Sequence, residues 1–316
     1  MSALYAQPNP QLEQDWAQVE RELSQWQGPV RSPEQRSLTI NMVHRSINPF
    51  ERLHAWYPAA ISRAYFKMME MARAFGWDTQ QHWRRSLHLC EAPGGFVQAM
   101  LQLIPHLEWY AVSLPDDISW HASLSPKRLL GADLLQADPT TVLPTACLGS
   151  CDLVTADGGR HVTGGHEIAL GPLLTAETHW AVHALRPGGV FVLKMYHAKY
   201  EGTHHLLWYI YQRFDQVGFY KPLTSRIANG ERYLIARGFR AGVHSNDNPP
   251  PPFAHLMCHG MTNVFLQLEV AAKQRMVSQL NTLHSLEQIE RCRELLRKGI
   301  PAHDERAKAL LQWLGI

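Results

Sequence analysis

At 316 residues the chain is long enough to bury a substantial core, as one large domain with appendages or as two modest ones. Its 45% hydrophobic and 18% charged content is that of an ordinary globular protein, and no apolar run approaches the ~18 residues of a membrane-spanning helix, so no membrane partner is expected. A net charge of +2 excludes a generally polycationic binder, so any contact with a polyanion must come from a local basic patch. Five cysteines without paired spacing imply reduced thiols. The start, Met1 to Pro8, lacks the charged and apolar pattern of a secretory signal. The expected compartment is therefore cytoplasmic, or nuclear for a eukaryotic source.

Residues 1–50 form a polar extension in which Leu12, Trp16, Val19, Leu23 and Trp26 recur at helical steps, predicting a helix over 10–26. Gly28 to Arg36 reads as a loop. A second helix is predicted from Pro58 to Phe75, with Ile61, Tyr65, Met68, Met69 and Ala72 on one face and Gly76 as its stop. Lys67 lies off that stripe, the ordinary place for a solvated lysine.

Short β-like runs then alternate with helical ones. Strands are predicted at 86–90, 109–114, 151–156, 190–194 and 231–237, with at most a short one in 115–150. Helices are predicted after Phe96 through about Leu103, at roughly 168–185 and at 203–217; Tyr220 to Arg226 reads as extended. This alternation indicates a doubly wound, mostly parallel sheet over residues 51–245. Asn246 to Pro252, with four consecutive prolines, marks a linker. Residues 253–316 form a helical appendage, with helices near 261–282, 285–298 and 302–314, and are a candidate docking element for a protein partner.

Lys194 ends the apolar run Val190-Phe191-Val192-Leu193, in a chain with only eight lysines. An unpaired ammonium in mid-sheet is costly, so Lys194 must emerge at the carboxyl end of its strand and meet partners there. That end is where open α/β sheets bind ligands. Asp157 follows the strand 151–156 directly. Glu231 begins the last strand; if that strand runs antiparallel, its start lies beside the other strands' ends. Glu91-Ala92-Pro93-Gly94-Gly95-Phe96 joins the first strand to its helix, where two glycines permit close backbone approach and a helix N-terminus offers unpaired N–H groups. It is neither G-x-G-x-x-G nor a P-loop, and a simple Pro-Gly turn is the competing interpretation.

These segments, with Asp152 to Gly159, Phe191 to Lys194 and Lys221 to Tyr233, occur in an order that resembles the FtsJ-like RNA 2′-O-methyltransferases, over residues 55–240. The segment Ser225 to Tyr233 is most similar to the branch that modifies mRNA caps. The resemblance implies a Rossmann-like S-adenosylmethionine-dependent methyltransferase fold, a seven-stranded sheet whose last strand is antiparallel. It also implies a Lys-Asp-Lys-Glu tetrad, here Lys67, Asp157, Lys194 and Glu231. Lys194 would be the base or orienting group for the ribose hydroxyl, with its pKa lowered by burial and by Lys67. Asp157 and Glu231 would hold both ammonium groups. The donor would lie against Ala92, Pro93, Gly94, Gly95 and Phe96, with Asp157 nearby and Asp133 on the adenine amino group.

RNA is the partner this implies. Arg226, Asn229, Arg232 and Lys221 around Glu231 are candidates for phosphate contacts. Tyr196, Tyr200 and Trp208 are candidates for stacking on a cap, although aromatic residues at such spacing are more often core. Three alternatives remain beside a capped 5′ end: ribosomal or transfer RNA as substrate, a non-catalytic RNA-binding relative, and a small-molecule methyltransferase, the last disfavoured by the tetrad. The pairs His179/His183 and Cys147/Cys151 lack a second half with zinc-type spacing, so no metal is expected.

Overall fold

The computed structural model describes residues 6–115, 119–159, 166–243, 249–299 and 301–316. The chain packs as two compact units that are not contiguous in sequence. One comprises residues 1–58, 223–230 and 259–316; the other comprises 59–222 and 231–258.

The second unit is built on a seven-stranded sheet. Its strands are β1 (Arg85–Leu89), β2 (Glu108–Ser113), β3 (Leu129–Gly131), β4 (Cys151–Ala156), β5 (Leu185–Met195), β6 (Phe214–Tyr220) and β7 (Arg232–Phe239), in the order β3-β2-β1-β4-β5-β7-β6. β7 runs antiparallel to β5 and β6, and the other pairings are parallel. All six residues of β4 are buried, as expected of a strand covered on both faces. The segment Arg186–Gly189 appears as an irregularity inside β5: Cys151 pairs with Leu185, and the next register is Leu153 with Val190.

Some elements differ from the periodicity reading. The helix expected over 203–217 is Glu201–Tyr211, and Phe214 already begins β6. Pairing with β7 and the contacts of the Phe214 ring with Phe191 and Phe239, at 6.4 and 5.3 Å, outweigh local propensity there. Lys221 to Gly230, partly expected as extended, holds no strand.

β1 and β4 carry a buried polar chain. His88 Nδ1 lies 2.8 Å from Thr155 Oγ1, and its Nε2 lies 2.9 Å from Ser86 Oγ. Burial pushes the His88 pKa down from 6.5 to about 3. Between those values the unfolded chain binds a proton that the native chain refuses. Stability is therefore full above pH 6.5 and falls as the pH drops, by up to about 1.4 kcal/mol per pH unit. Urea unfolding at pH 7.5, 6 and 5 should show this loss, and a His88→Asn variant should show a shallower one. Equal slopes in the two proteins would refute it.

The other unit is helical. Pro10–Gln25, Pro33–Ser46, Leu286–Lys298 and Pro301–Leu314 belong to it, with the helix Pro252–Asn281 from His259 onward. Leu23, Met42, Val43, Met276, Leu280 and Ile289 share one core, so the N-terminal extension and the C-terminal helices bury the same apolar surface. Pro33–Ser46 falls partly in a stretch read as loop. Ser32 accepts from Gln35 N and Pro33 occupies the first turn, the pattern that starts a helix. Of the expected linker, 246–248 lies outside the described residues, and Pro252 opens a 30-residue helix. No helix among the described residues is long and apolar enough to cross a membrane.

Candidate active site

Strand order reverses between β1 and β4, which opens a crevice at their carboxyl ends. A cavity of about 380 Å³ lies there, a size suited to a small ligand. Cys90 and Ala92 after β1, Ser113 and Leu114 at the end of β2, Asp133 to Leu135 after β3 and Asp157 to Gly159 after β4 line it. The helix His166–Ala184 adds Ala169, Pro172 and Leu173, and Lys194 reaches it from β5.

Of the residues expected around a donor, Ala92, Asp133 and Asp157 line this cavity, whereas Pro93, Gly94, Gly95 and Phe96 do not. Phe96 is fully buried. An N–H at the start of its helix is already used, because the Glu91 carboxyl group accepts from Phe96 N at 2.5 Å. Gly95 serves packing: a Cβ there would fall 2.4 Å from Ser62 Oγ and 2.8 Å from Tyr65 N. The contact brings the helix Arg63–Ala74 onto the helix Gly95–Leu103. Ile61 N on Gln98 Oε1 (2.7 Å) and Tyr65 OH on Gln102 Oε1 (2.6 Å) fix it. Lys67 owes its position to that docking.

The four charged residues meet on the expected edge. Because β7 is antiparallel, Lys194 pairs with Tyr233 and Met195 with Arg232, and Glu231 precedes them at the carboxyl ends of the parallel strands. Lys67 Nζ lies 2.7 Å from Glu231 Oε1, and Lys194 Nζ lies 3.3 Å from Asp157 Oδ1. Lys194 also donates to the Asp157 carbonyl at 2.6 Å. Lys67 keeps only 13% of its side chain exposed, so the solvated-surface interpretation does not hold. Tyr233 links the two pairs. Its hydroxyl donates to Asp157 Oδ1 at 2.8 Å and accepts from Lys67 Nζ at 3.5 Å. A period-two reading of the strand identifies it, since Tyr233 and Glu231 share a face.

One expected property is reversed. Burial alone would lower the Lys194 pKa, but Asp157 first, then Glu231, Tyr196 and Glu177, raise it by more, and the net shift is upward. Carboxylates at contact distance outweigh desolvation here, and Lys194 is an ammonium group at neutral pH.

The expected substrate residues are dispersed. Arg232 is 1% exposed and bonds His197 Nδ1 at 3.0 Å, so its guanidinium is not placed to meet a phosphate. Lys221 Nζ donates to the Glu231 carbonyl at 2.7 Å and braces the tetrad. Arg226 and Asn229 belong to the helical unit, where Arg226 forks onto Glu51 at 3.1 and 3.2 Å and Asn229 Oδ1 accepts from Ser225. Tyr196 is half-buried one residue past β5, and burial raises its pKa although Lys194 opposes this. Trp208 stacks on Tyr211 at 5.5 Å and meets Phe253 edge-on at 5.6 Å, in the half of its helix that leads back toward the amino-terminal side of the sheet. No group of three or more His, Cys, Asp or Glu among the described residues could hold a metal.

A parallel sheet with one reversed strand, a ligand cavity at its switch point and a charged cluster at the cavity's side make a Rossmann-like domain with a candidate ligand site. Residues 60–239 match the FtsJ-like methyltransferase family, and the chain belongs to it. S-adenosylmethionine is its methyl donor. Among curated relatives, a cap-specific mRNA (nucleoside-2′-O-)-methyltransferase of Autographa californica nuclear polyhedrosis virus is 31% identical over 191 residues, which is 56% of this chain and 72% of the relative. A ribosomal RNA large subunit methyltransferase E of Granulibacter bethesdensis is 31% identical over 182 residues, 57% of this chain and 75% of the relative. A cap-specific mRNA (nucleoside-2′-O-)-methyltransferase 1 of Xenopus laevis is 25% identical over 234 residues, 62% of this chain but 27% of the relative.

Proposed function

We propose that this chain methylates the ribose 2′-hydroxyl of RNA at the first nucleotides of a capped 5′ end. The observation that carries the reading is the pair of ion pairs, Lys67–Glu231 and Lys194–Asp157, joined through Tyr233 beside the donor cavity. The cavity suits the donor: it offers the Asp133 carboxylate to an adenine amino group, backbone at Ala92 and Gly158, and apolar Leu134 and Leu135 to a ring. The bound donor supplies an electrophilic methyl group.

The protein's part is placement and proton control. A ribose hydroxyl attacks well only when it is aligned and can shed its proton. Lys194 Nζ orients the oxygen; once it has given up its own proton to solvent, it would accept the hydroxyl proton as the oxygen takes the methyl group, whose bond to the donor sulfur breaks to leave a neutral thioether. Asp157 and Glu231 then stabilise the ammonium produced. Tyr233 holds Asp157 against Lys194 and keeps Lys67 on Glu231. Removal of its hydroxyl in Tyr233→Phe leaves the ring packing intact. The variant should lower kcat by about tenfold, the worth of one buried hydrogen bond to a charged group. Its donor affinity should stay close to wild type and its thermal midpoint should fall by only several degrees; unchanged kcat would remove Tyr233 from the site.

The cap assignment is supported by the two cap-specific relatives and by the segment Ser225 to Tyr233; the ribosomal RNA relative, equally similar, supports the second reading. Short RNAs with and without a cap, and a ribosomal RNA fragment, should be incubated with labelled donor. The product is then mapped by resistance of the adjacent phosphodiester to alkali. Methylation of capped RNA alone is expected; preference for the ribosomal fragment would replace the cap reading.

A further inference from the structure

Glu177 lies behind the cavity, on the helix that closes it, and its side chain is fully buried. Its Oε1 accepts the Gly158 N–H at 3.0 Å, and the Cys90 side chain is among the titratable groups beside the same carboxyl group. Gly158 follows Asp157 at the end of β4, and Cys90 follows β1, so one carboxyl group borders both turns that flank the switch point and is bonded to the second of them. Both turns are constrained there. Cys90 holds a left-handed backbone, φ 53°, rare for a residue with a side chain. A Cβ on Gly158 would fall 2.3 Å from Glu177 Oε1 and 2.9 Å from Leu173 Cδ2, so only glycine lets the carboxyl group approach.

We propose that Glu177 is a positioning residue, whose buried carboxyl group sets the Asp157-Gly158-Gly159 turn, and through it Lys194, against the methyl donor. The link to Lys194 is direct: Lys194 Nζ bonds the Asp157 carbonyl, the group that leads into the Gly158 N–H. A Cβ on Gly159 would lie 3.0 Å from Lys194 Nζ, so the turn also borders the ammonium group itself. The charged and titratable groups facing Glu177 are Lys194 on β5, Asp157 after β4 and Cys90 after β1. Burial raises the Glu177 pKa most, Lys194 opposes it, and the result is about 8. At neutral pH the carboxyl group is thus mainly uncharged and acts as a hydrogen-bonding clamp. Above pH 8 it adds a negative charge beside Lys194, which holds the lysine proton more tightly.

The role of Glu177 in turnover rests on the RNA reading, but its effect on the donor cavity does not, and two measurements separate them. The first is donor binding by calorimetry on the full chain between pH 6.5 and 9. The wild-type protein should bind the positively charged donor more tightly as the pH passes about 8. Glu177→Gln, which keeps an acceptor for Gly158, should bind with no such change. Glu177→Leu and Gly158→Ala, which break the tie in two different ways, should each weaken donor binding by about tenfold or more, the cost of a buried N–H left unpaired. The second is turnover on RNA. The leucine and alanine variants should lose about 10- to 100-fold in kcat, and glutamine should recover most of that loss. Donor affinity in Glu177→Leu and Gly158→Ala equal to wild type, with no pH difference between Glu and Gln, would overturn the proposal. Donor effects as expected in a wild-type protein that methylates no RNA would overturn the RNA reading and leave the clamp standing.

Discussion

Lys194→Ala is expected to abolish methyl transfer, a loss of at least about 10³-fold, while the protein still folds and binds the donor with near wild-type affinity. The reasoning starts from position. Lys194 lines one end of a cavity whose other contacts come from the turns after β1, β2, β3 and β4, so the donor keeps most of its surface when the side chain is truncated. The reacting oxygen loses its orienting group entirely. Folding should survive at reduced stability: Asp157 loses its ammonium partner, a cost of about 3–5 kcal/mol, but retains the Tyr233 hydroxyl at 2.8 Å. The raised pKa adds a second expectation. Only the neutral amine can take the ribose proton, and Asp157 first, then Glu231, keep that form scarce at neutral pH. The fraction of neutral amine grows about tenfold per pH unit below its pKa, so kcat/KM should climb steadily from pH 7 toward 8. Calorimetry with the donor, set beside a labelled-methyl assay across that range, checks both. Near wild-type turnover in the alanine variant would remove Lys194 from the chemistry. A flat profile in the wild type would leave it as an orienting donor only.

The place of this site was legible because it depends on features that chain order carries: which residues end apolar strands, and whether the last strand reverses. Lys194, Asp157 and Glu231 needed no more than that. Lys67 needed the Gly95 contact between two helices, and its sequence surroundings suggest solvent. Its partner distance, 2.7 Å to Glu231, is a tertiary fact. The direction of the Lys194 pKa shift was illegible for the same reason, since it depends on how many carboxylates stand within contact distance compared with the cost of burial. Glu177 occupies an otherwise largely apolar helix and joins no motif; the space above Gly158 is what exposes its role. Arg232 shows the opposite limit. Its position beside Glu231 suggests a phosphate contact, yet the alternation of β7 turns it inward onto His197. The boundary error at 214–217 has a similar origin, because pairing with β7 decides what local periodicity leaves ambiguous.

The Lys67–Glu231 pair distinguishes a scaffold from a catalytic device, and it should give the second largest effect. The two side chains keep 13% and 10% of their surface exposed and face each other at 2.7 Å. Removing one partner from such a pair leaves a charge largely shielded from water, at a cost of about 3–5 kcal/mol. Glu231→Leu should therefore lower the urea midpoint sharply, with the Lys67 ammonium left against the Tyr233 ring, 5.9 Å from its centroid. Lys67→Met should do the same in the opposite sense, leaving a carboxylate whose nearest cation is lost. The double variant Lys67→Met/Glu231→Leu strands neither charge and replaces the pair with apolar groups of similar volume, an exchange that is often neutral. Most of the lost stability should return in it. Activity should not return, because Lys194 then has Asp157 but neither Glu231 to stabilise its protonated form nor the Lys67 charge nearby. Urea unfolding and the labelled-methyl assay on all four proteins of the cycle separate the two roles. If the single variants unfold like wild type, the pair is solvated and inert. If the double variant regains turnover together with stability, Lys67 and Glu231 are part of the frame, and the chemistry belongs to Lys194 and Asp157 alone.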